Sequence, residues 1–191
     1  MTEERVNQIF NETGVLLEGH FLLTSGKHSN RYMQCAKLFQ YPEYSRELCS
    51  VLAEKFKGER IDLVAGPAVG GIIIAYQVAA CLGTRNIFAE RQDGEMTFRR
   101  GFEVKKGENV LICEDVITTG GSVKEVIELV KRAGGSVAGV VSIVDRSGGN
   151  AEFGVPFHSV IKVGFDVYAP DDCPLCKAGS TAYKPGSRGM K

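Results

Sequence analysis

Apolar residues recur along this chain with two different periods, and the change between them divides it. Near the start, Val6, Ile9 and Phe10 share one face of a predicted helix, with Thr2 as its cap and Glu3 and Glu4 in its first turn. Phe21 to Met33 reads as an extended segment, a Ser25-Gly26 turn and a second extended segment. After Pro42, the positions Tyr44, Leu48, Leu52 and Phe56 follow helical spacing, closed by Gly58. From residue 61 the texture becomes strand and helix in alternation. Buried-type strands are predicted at 61–65, 86–89, 110–113, 136–144 and 160–163, with an apolar helix before Gly83. A second helix carries Val123, Val126, Ile127 and Val130 on one face, a Lys124 and Glu128 pair, basic Lys131 and Arg132 near its end, and a Gly134 stop. β-branched strands buried on both faces and separated by helices predict an α/β fold, a mostly parallel sheet covered by helices.

Composition narrows the class. The 191 residues suit one domain with a sizeable core, and 43% apolar content is too high for disorder. Equal counts of 23 basic and 23 acidic residues argue against a dedicated nucleic-acid or anionic-membrane binder. The acidic start lacks an apolar signal region, and the most apolar stretch, 72–82, contains Gln77 and falls well short of the roughly 20 residues needed to span a bilayer. The expectation is a soluble, cytoplasmic protein. Of six cysteines, four are isolated, as reduced core cysteines usually are. Cys173-Pro-Leu-Cys176 offers only two metal ligands; a site there needs His20, His28, His158 or a partner chain, so it reads as structural or incidental.

The 23 glycines, about 12% of the chain against about 7% in ordinary domains, point to the loops. Twice a buried strand runs into a loop ending in Gly-Gly and then a helix, at 61–82 and 110–133. Both loops lie at the carboxyl ends of predicted strands, where open α/β sheets bind ligands. In the second, Val110-Leu-Ile-Cys113 leads to Glu114 and Asp115, then Val116, Ile117, Thr118, Thr119, Gly120, Gly121 and Ser122. Two carboxylates at the end of an apolar strand are costly unless paired or solvated. The hydroxyls and glycines after them suit backbone N–H groups turned toward an anion at a helix N-terminus. Such a layout fits a ligand with hydroxyls at one end and phosphate at the other, as in a sugar phosphate. It is neither a Walker loop nor a dinucleotide fingerprint.

The segment 110–122 resembles the 13-residue signature of the type I phosphoribosyltransferases. In that family the two acids contact the ribose hydroxyls of phosphoribosyl pyrophosphate (PRPP) and the loop clamps its 5′-phosphate. Together with 22–29, the 66–71 loop and Val144-Asp145-Arg146, the order over roughly residues 10 to 150 is similar to that of orotate phosphoribosyltransferases. The resemblance implies a small N-terminal hood (residues 1–40), an α/β core (41–170) with a mobile loop at about 90–107, and a C-terminal tail (171–191), one structural domain overall. It implies transfer of the phosphoribosyl group from PRPP to orotate, giving orotidine 5′-monophosphate and pyrophosphate in pyrimidine biosynthesis. Asp115 and Glu114 then serve the ribose, Ala68, Val69, Gly70 and Gly71 form the pyrophosphate loop, and Thr118 and Arg146 contact orotate. Arg146 suits a carboxylate by its forked donors; read from the residues alone, it is a surface ion pair with Asp145 or Glu152.

This chain departs from that pattern in places. Many orotate enzymes have Lys where it has Thr24 and Gly70, and a catalytic loop with Lys and His where it offers only Arg91, Arg99 and Arg100. These arginines are the candidates for stabilising the leaving group, with a solvated hairpin as the plain alternative. Mg²⁺ is expected to arrive with PRPP rather than in a protein cage. The family resemblance also implies a homodimer with the loop reaching the neighbouring site. Two rival readings are a transferase for another base, such as a purine, and a PRPP-sensing regulator. The regulator needs a DNA-binding domain or basic face for which neither length nor charge leaves room. Tyr183 to Arg188 reads as a disordered terminus more readily than as a basic tail near a phosphate.

Overall fold

The computed structural model describes residues 1–23 and 25–185. Thr2 caps α1 (Glu3–Thr13) as predicted, its Oγ1 accepting the Arg5 amide, and Gly14 ends the helix in the left-handed region at φ 64°. A hairpin of β1 (Leu16–Leu22) and β2 (His28–Met33) follows, then a 3-10 turn (Cys35–Gln40) and α2 (Pro42–Glu54), which starts on its proline. The alternating region comprises β3 (Leu63–Pro67), α3 (Gly70–Leu82), β4 (Arg85–Gln92), β5 (Glu95–Phe98), β6 (Asn109–Ile117), α4 (Gly121–Arg132), β7 (Ser136–Asp145) and β8 (Phe157–Lys162). The two-residue β9 (Val167–Tyr168), another 3-10 turn (Pro170–Asp172) and the four-residue α5 (Pro174–Lys177) follow.

The main sheet has the order β5-β4-β3-β6-β7-β8, parallel throughout except for β5 against β4. β6 shows how the pattern produces this. Leu111 and Cys113 face the core that α1, α2 and α3 fill with Ile9, Leu48, Leu52, Ile74 and Val78, whereas Val110 and Ile112 face the stripe Val123, Val126, Ile127 and Val130 of α4. Helices therefore cover both faces, and the carboxyl ends of β3, β6 and β7 form one edge. On α4 the expected Lys124 and Glu128 pair is replaced by Glu128 with Lys131 at 3.2 Å.

Three expectations change. The first strand begins at Leu16, before the predicted extended segment. The stretch at 90–107, expected as a mobile loop, is half hairpin: β4 and β5 pair antiparallel across Asp93 and Gly94, which take φ 53° and 90°. Two consecutive positive φ values match the twist of a tight hairpin, and Asp-Gly is the dipeptide that tolerates them. The hood also does not end near residue 40, because β9 pairs with β2 and completes an antiparallel sheet β1-β2-β9. The segment after β8 thus returns to the N-terminal layer. Its last described part continues there, the Tyr183 amide donating to the His20 carbonyl (2.8 Å) and its carbonyl accepting from Leu22 (2.7 Å).

Candidate functional site

β6 delivers Glu114 and Asp115 to the carboxyl edge of the sheet, and strand alternation turns them to different sides. Glu114 lines a cavity of about 560 Å³ together with Arg91, Val116 to Val123 and Glu125. Asp115 lines a neighbouring cavity of about 720 Å³ with Tyr32, Gln34 and Arg146. Val116, Thr118 and Thr119 border both, so the two spaces flank a single loop. Each acid is steadied by the next amide: Glu114 Oε1 accepts from Asp115 N (3.0 Å), and Asp115 Oδ1 from Val116 N (2.8 Å).

The loop between β6 and α4 is shaped for an anion. Gly120 sits at φ 73°, and a Cβ there would also press on the Phe153 ring at 2.7 Å, so only glycine fits. α4 starts without a side-chain cap and with no acid in its first turn, leaving its amides and partial positive charge toward the smaller cavity. Arg91 adds positive charge there, though its guanidinium already holds Glu125 (2.6 Å) and the Gly94 carbonyl (2.7 Å).

The other cavity has a different chemistry. The Arg146 amide donates to the Ile117 carbonyl (2.7 Å), fixing the residue beside the loop, and its guanidinium lies 4.8 Å from the Phe165 ring centroid. Burial pushes its pKa down, and among the described residues no carboxylate pairs with it. The expected partner Asp145 instead accepts from Ser147 N (2.8 Å) and Oγ (2.6 Å). A half-buried cation without an anion is poised to receive one. Burial likewise raises the Tyr32 phenol and lifts the Cys35 thiol well above its usual range, so Cys35 is a wall and not a nucleophile.

The loop Ala68, Val69, Gly70 and Gly71 joins β3 to α3 beside β6, with the Ala68 amide on the Ala89 carbonyl (2.7 Å). A Cβ at Gly70 would collide with the Asp115 carboxylate, so the acid and this loop are in direct contact. That collision is a local reason for glycine at a position where the family resemblance led to an expectation of lysine. Thr24, the other departure, lies outside the described residues. Arg99 and Arg100 are not brought to either cavity: both turn to Glu90 (3.7 and 3.1 Å), and Arg100 lies over Phe88. Residues missed in the sequence are Tyr32, Gln34, Lys184 and Pro185, which line the larger cavity from the hood side. Only the basic character of the terminal segment hinted at Lys184.

The chain is similar to known phosphoribosyltransferases in sequence and in fold. A family model described as phosphoribosyl transferase domain matches residues 38–163. A relative from Caldanaerobacter subterraneus subsp. tengcongensis, named orotate phosphoribosyltransferase, is 60% identical over 188 residues, covering 98% of this chain and 99% of that one. One of the same name from Thermotoga maritima is 56% identical over 186 residues, covering 97% and 100%. The crystal structure of orotate phosphoribosyltransferase from Aeropyrum pernix superposes with a TM-score of 0.71 at 25% identity, over 83% of this chain and 93% of that one.

Proposed function

Because the chain belongs to the orotate phosphoribosyltransferases, we infer that it transfers the 5-phosphoribosyl group of PRPP to orotate, forming orotidine 5′-monophosphate and pyrophosphate in pyrimidine biosynthesis. The observation that carries the base assignment is Arg146, a half-buried guanidinium with no ion pair among the described residues, in the same cavity as Asp115. Orotate differs from uracil by one carboxylate, and Arg146 is the group that would read it.

The reaction breaks the anomeric C–O bond to pyrophosphate and forms the bond from C1 to the base nitrogen. Positive charge develops on the ribose and negative charge on the leaving group, so the work is positioning and electrostatics. In our reading Asp115 and Glu114 hold the ribose hydroxyls and favour the cationic ring. Thr118 to Ser122 and the first turn of α4 hold the 5′-phosphate, with Arg91 alongside. The 68–71 loop receives the pyrophosphate, and Thr118 with Arg146 orients orotate. The donor set suits Mg²⁺ brought in with PRPP: two strand-end carboxylates offer hard oxygens without closing a cage, which leaves room for substrate oxygens and water. Bound in that way, such an ion would supply positive charge beside the departing pyrophosphate.

Arg99 and Arg100 stand away from their own cavities, and Val69, Ile73 and Tyr76 put an exposed apolar patch at the start of α3 (79%, 44% and 64% exposed). Both features support a homodimer in which these arginines serve the neighbouring site; light scattering that gives a monomer at assay concentration overturns this. Six free cysteines suit a reducing compartment, in keeping with a cytoplasmic enzyme.

A base panel with Mg·PRPP tests the function. Loss of orotate absorbance with formation of orotidylate is expected. Turnover of adenine, guanine or hypoxanthine in preference to orotate would overturn the base assignment.

A further inference from the structure

We propose that His20, His28, Cys173 and Cys176 form a structural zinc site that clips the C-terminal segment onto the hood. The four residues come from three places: His20 on β1, His28 on β2, and the two cysteines at the start and within α5. Their ligand atoms all lie within 4.8 Å of one another. Three of the four residues are buried, with Cys173 at 0% exposure. None of the cysteines is in a disulfide.

The spacing matches a tetrahedron. With Zn–S near 2.3 Å and Zn–N near 2.0–2.1 Å, its edges are about 3.3 Å between nitrogens, about 3.6 Å from nitrogen to sulfur and about 3.8 Å between sulfurs. Three of the four nitrogen to sulfur edges here are 3.3 Å (Cys176 Sγ to His28 Nδ1), 3.5 Å (Cys173 Sγ to His20 Nε2) and 3.7 Å (Cys176 Sγ to His20 Nε2), and the fourth lies within the 4.8 Å that bounds the whole set. The edge between His20 Nε2 and His28 Nδ1 is 2.9 Å and opens by about 0.4 Å to admit an ion. Two sulfurs and two imidazoles in tetrahedral array select zinc over harder cations. Four protein ligands close the coordination sphere, the mark of a structural site and not a catalytic one.

Two further observations point the same way. His20 Nδ1 lies 3.1 Å from Ser180 Oγ, the outer partner that orients a metal-binding imidazole and turns its other nitrogen to the ion. Among the described residues, the segment from β9 onward is otherwise held by a few hydrogen bonds and no hydrophobic anchor. No residue of β9 or α5, nor Cys173, belongs to either hydrophobic cluster, although Cys173 is fully buried. A four-residue helix on a two-residue strand is too small to hold itself by burial, and small units of this kind are stapled by metals or disulfides. His158, the remaining histidine, lies elsewhere, its ring packed on Phe56 at 5.8 Å.

Binding is balanced in charge and protons. Zn²⁺ displaces two thiol protons and leaves a neutral site of two thiolates and two neutral imidazoles. The clip holds Ser180 and the following residues against β1, where Lys184 and Pro185 line the larger cavity. The inference does not depend on which base is transferred.

The test is metal analysis of the full-length protein purified under reducing conditions from zinc-supplemented medium. About one zinc per chain is expected, and cobalt substitution should give the ligand-field and thiolate charge-transfer bands of a tetrahedral S2N2 site. Cys176→Ser and His28→Ala should each lower zinc content about tenfold or more, whereas Cys81→Ser, at an exposed cysteine, should retain it. Wild-type protein without zinc and without the cobalt spectrum would overturn the proposal. So would full zinc content in Cys176→Ser, or a Cys173–Cys176 disulfide under those conditions. Should the ligand variants fail to fold, the cobalt spectrum of the wild-type protein still decides.

Discussion

Replacing Arg146 by methionine separates the base site from the rest of the machinery. The guanidinium has no ion pair among the described residues and rests on Phe165, and methionine can keep that contact through its sulfur. Little folded-state interaction is lost and a half-buried charge with no ion pair among the described residues is removed. The variant should therefore be as stable as the parent, or gain up to about 1 kcal/mol, a rise of about 2–4 °C in Tm. Catalysis should move the other way. Truncating one partner of a hydrogen-bonded charge pair costs about 2–5 kcal/mol, and partial exposure of this site places the loss in the lower part, about 2–4 kcal/mol. That is a fall of about 30- to 1000-fold in kcat/KM for orotate. The assay is orotate absorbance at saturating Mg·PRPP, repeated with uracil, which lacks the carboxylate. Preference for orotate over uracil should collapse while the KM for PRPP holds. A value of kcat/KM for orotate within about threefold of wild type, or a parallel rise in the KM for PRPP, would refute the reasoning.

Other predictions concern the acids and their supports. Asp115→Asn keeps the oxygen that accepts from Val116 N but turns the other into a donor, so kcat should fall by about 100-fold or more with Tm unchanged; near-normal turnover would remove the ribose role. Gly70→Ala places a Cβ against the Asp115 carboxylate and should cost about 10- to 100-fold in kcat through displacement of that group, with circular dichroism unaltered. Unchanged kcat would mean the acid tolerates the shift. Burial pushes the Glu108 carboxyl up, but Arg85 Nη2 on both oxygens (2.8 and 2.7 Å) and the Lys105 amide (2.7 Å) outweigh it and hold the pKa below its usual range. A carboxyl lowered by folding adds stability above its unfolded pKa, near 4.3, and that stability is lost as pH falls through the folded value. Glu108→Gln should therefore flatten the acid limb of the stability curve below about pH 5; denaturant titrations showing an unchanged acid slope would contradict this.

Periodicity carried the central elements because each has one clear face. The stripe on α4 and the alternation in β6 recover the sheet and its two cores, and Glu114 to Ser122 stood at a strand end where few other roles are available to paired acids. What failed was short or long-range. β5 has four residues and charged flanks, so the hairpin stood only as the plain alternative to a mobile loop. β9 has two residues and no pattern. The wall made by Lys184 joins residues far apart in sequence, and although His20 and His28 were named as ligands a Cys173 and Cys176 site would need, the 153 positions between His20 and Cys173 left no local spacing to select them over His158. Arg99 and Arg100 were visible as charge, but where a long cation points is decided by Glu90, a partner found only in three dimensions.

The return of β9 to the hood bears on how the molecule is put together. Ser29 Oγ donates to the Asp166 carbonyl across 137 positions, and β9 itself contributes only two paired residues. A loop of that length is closed cheaply only after the α/β layer has brought its ends together, since closure entropy must be met before so few bonds reward it. Pairing of β9 with β2 should accordingly form late and open early, below the free energy of global unfolding, wherever the proposed zinc clip is empty. Amide exchange at His28 and Ser29 should outpace that at Val110 to Ile112. Asp115 and Arg146 thus sit where a rigid sheet edge meets a wall with its own, smaller cooperativity, so access to them can change while the strands that aim them stay paired.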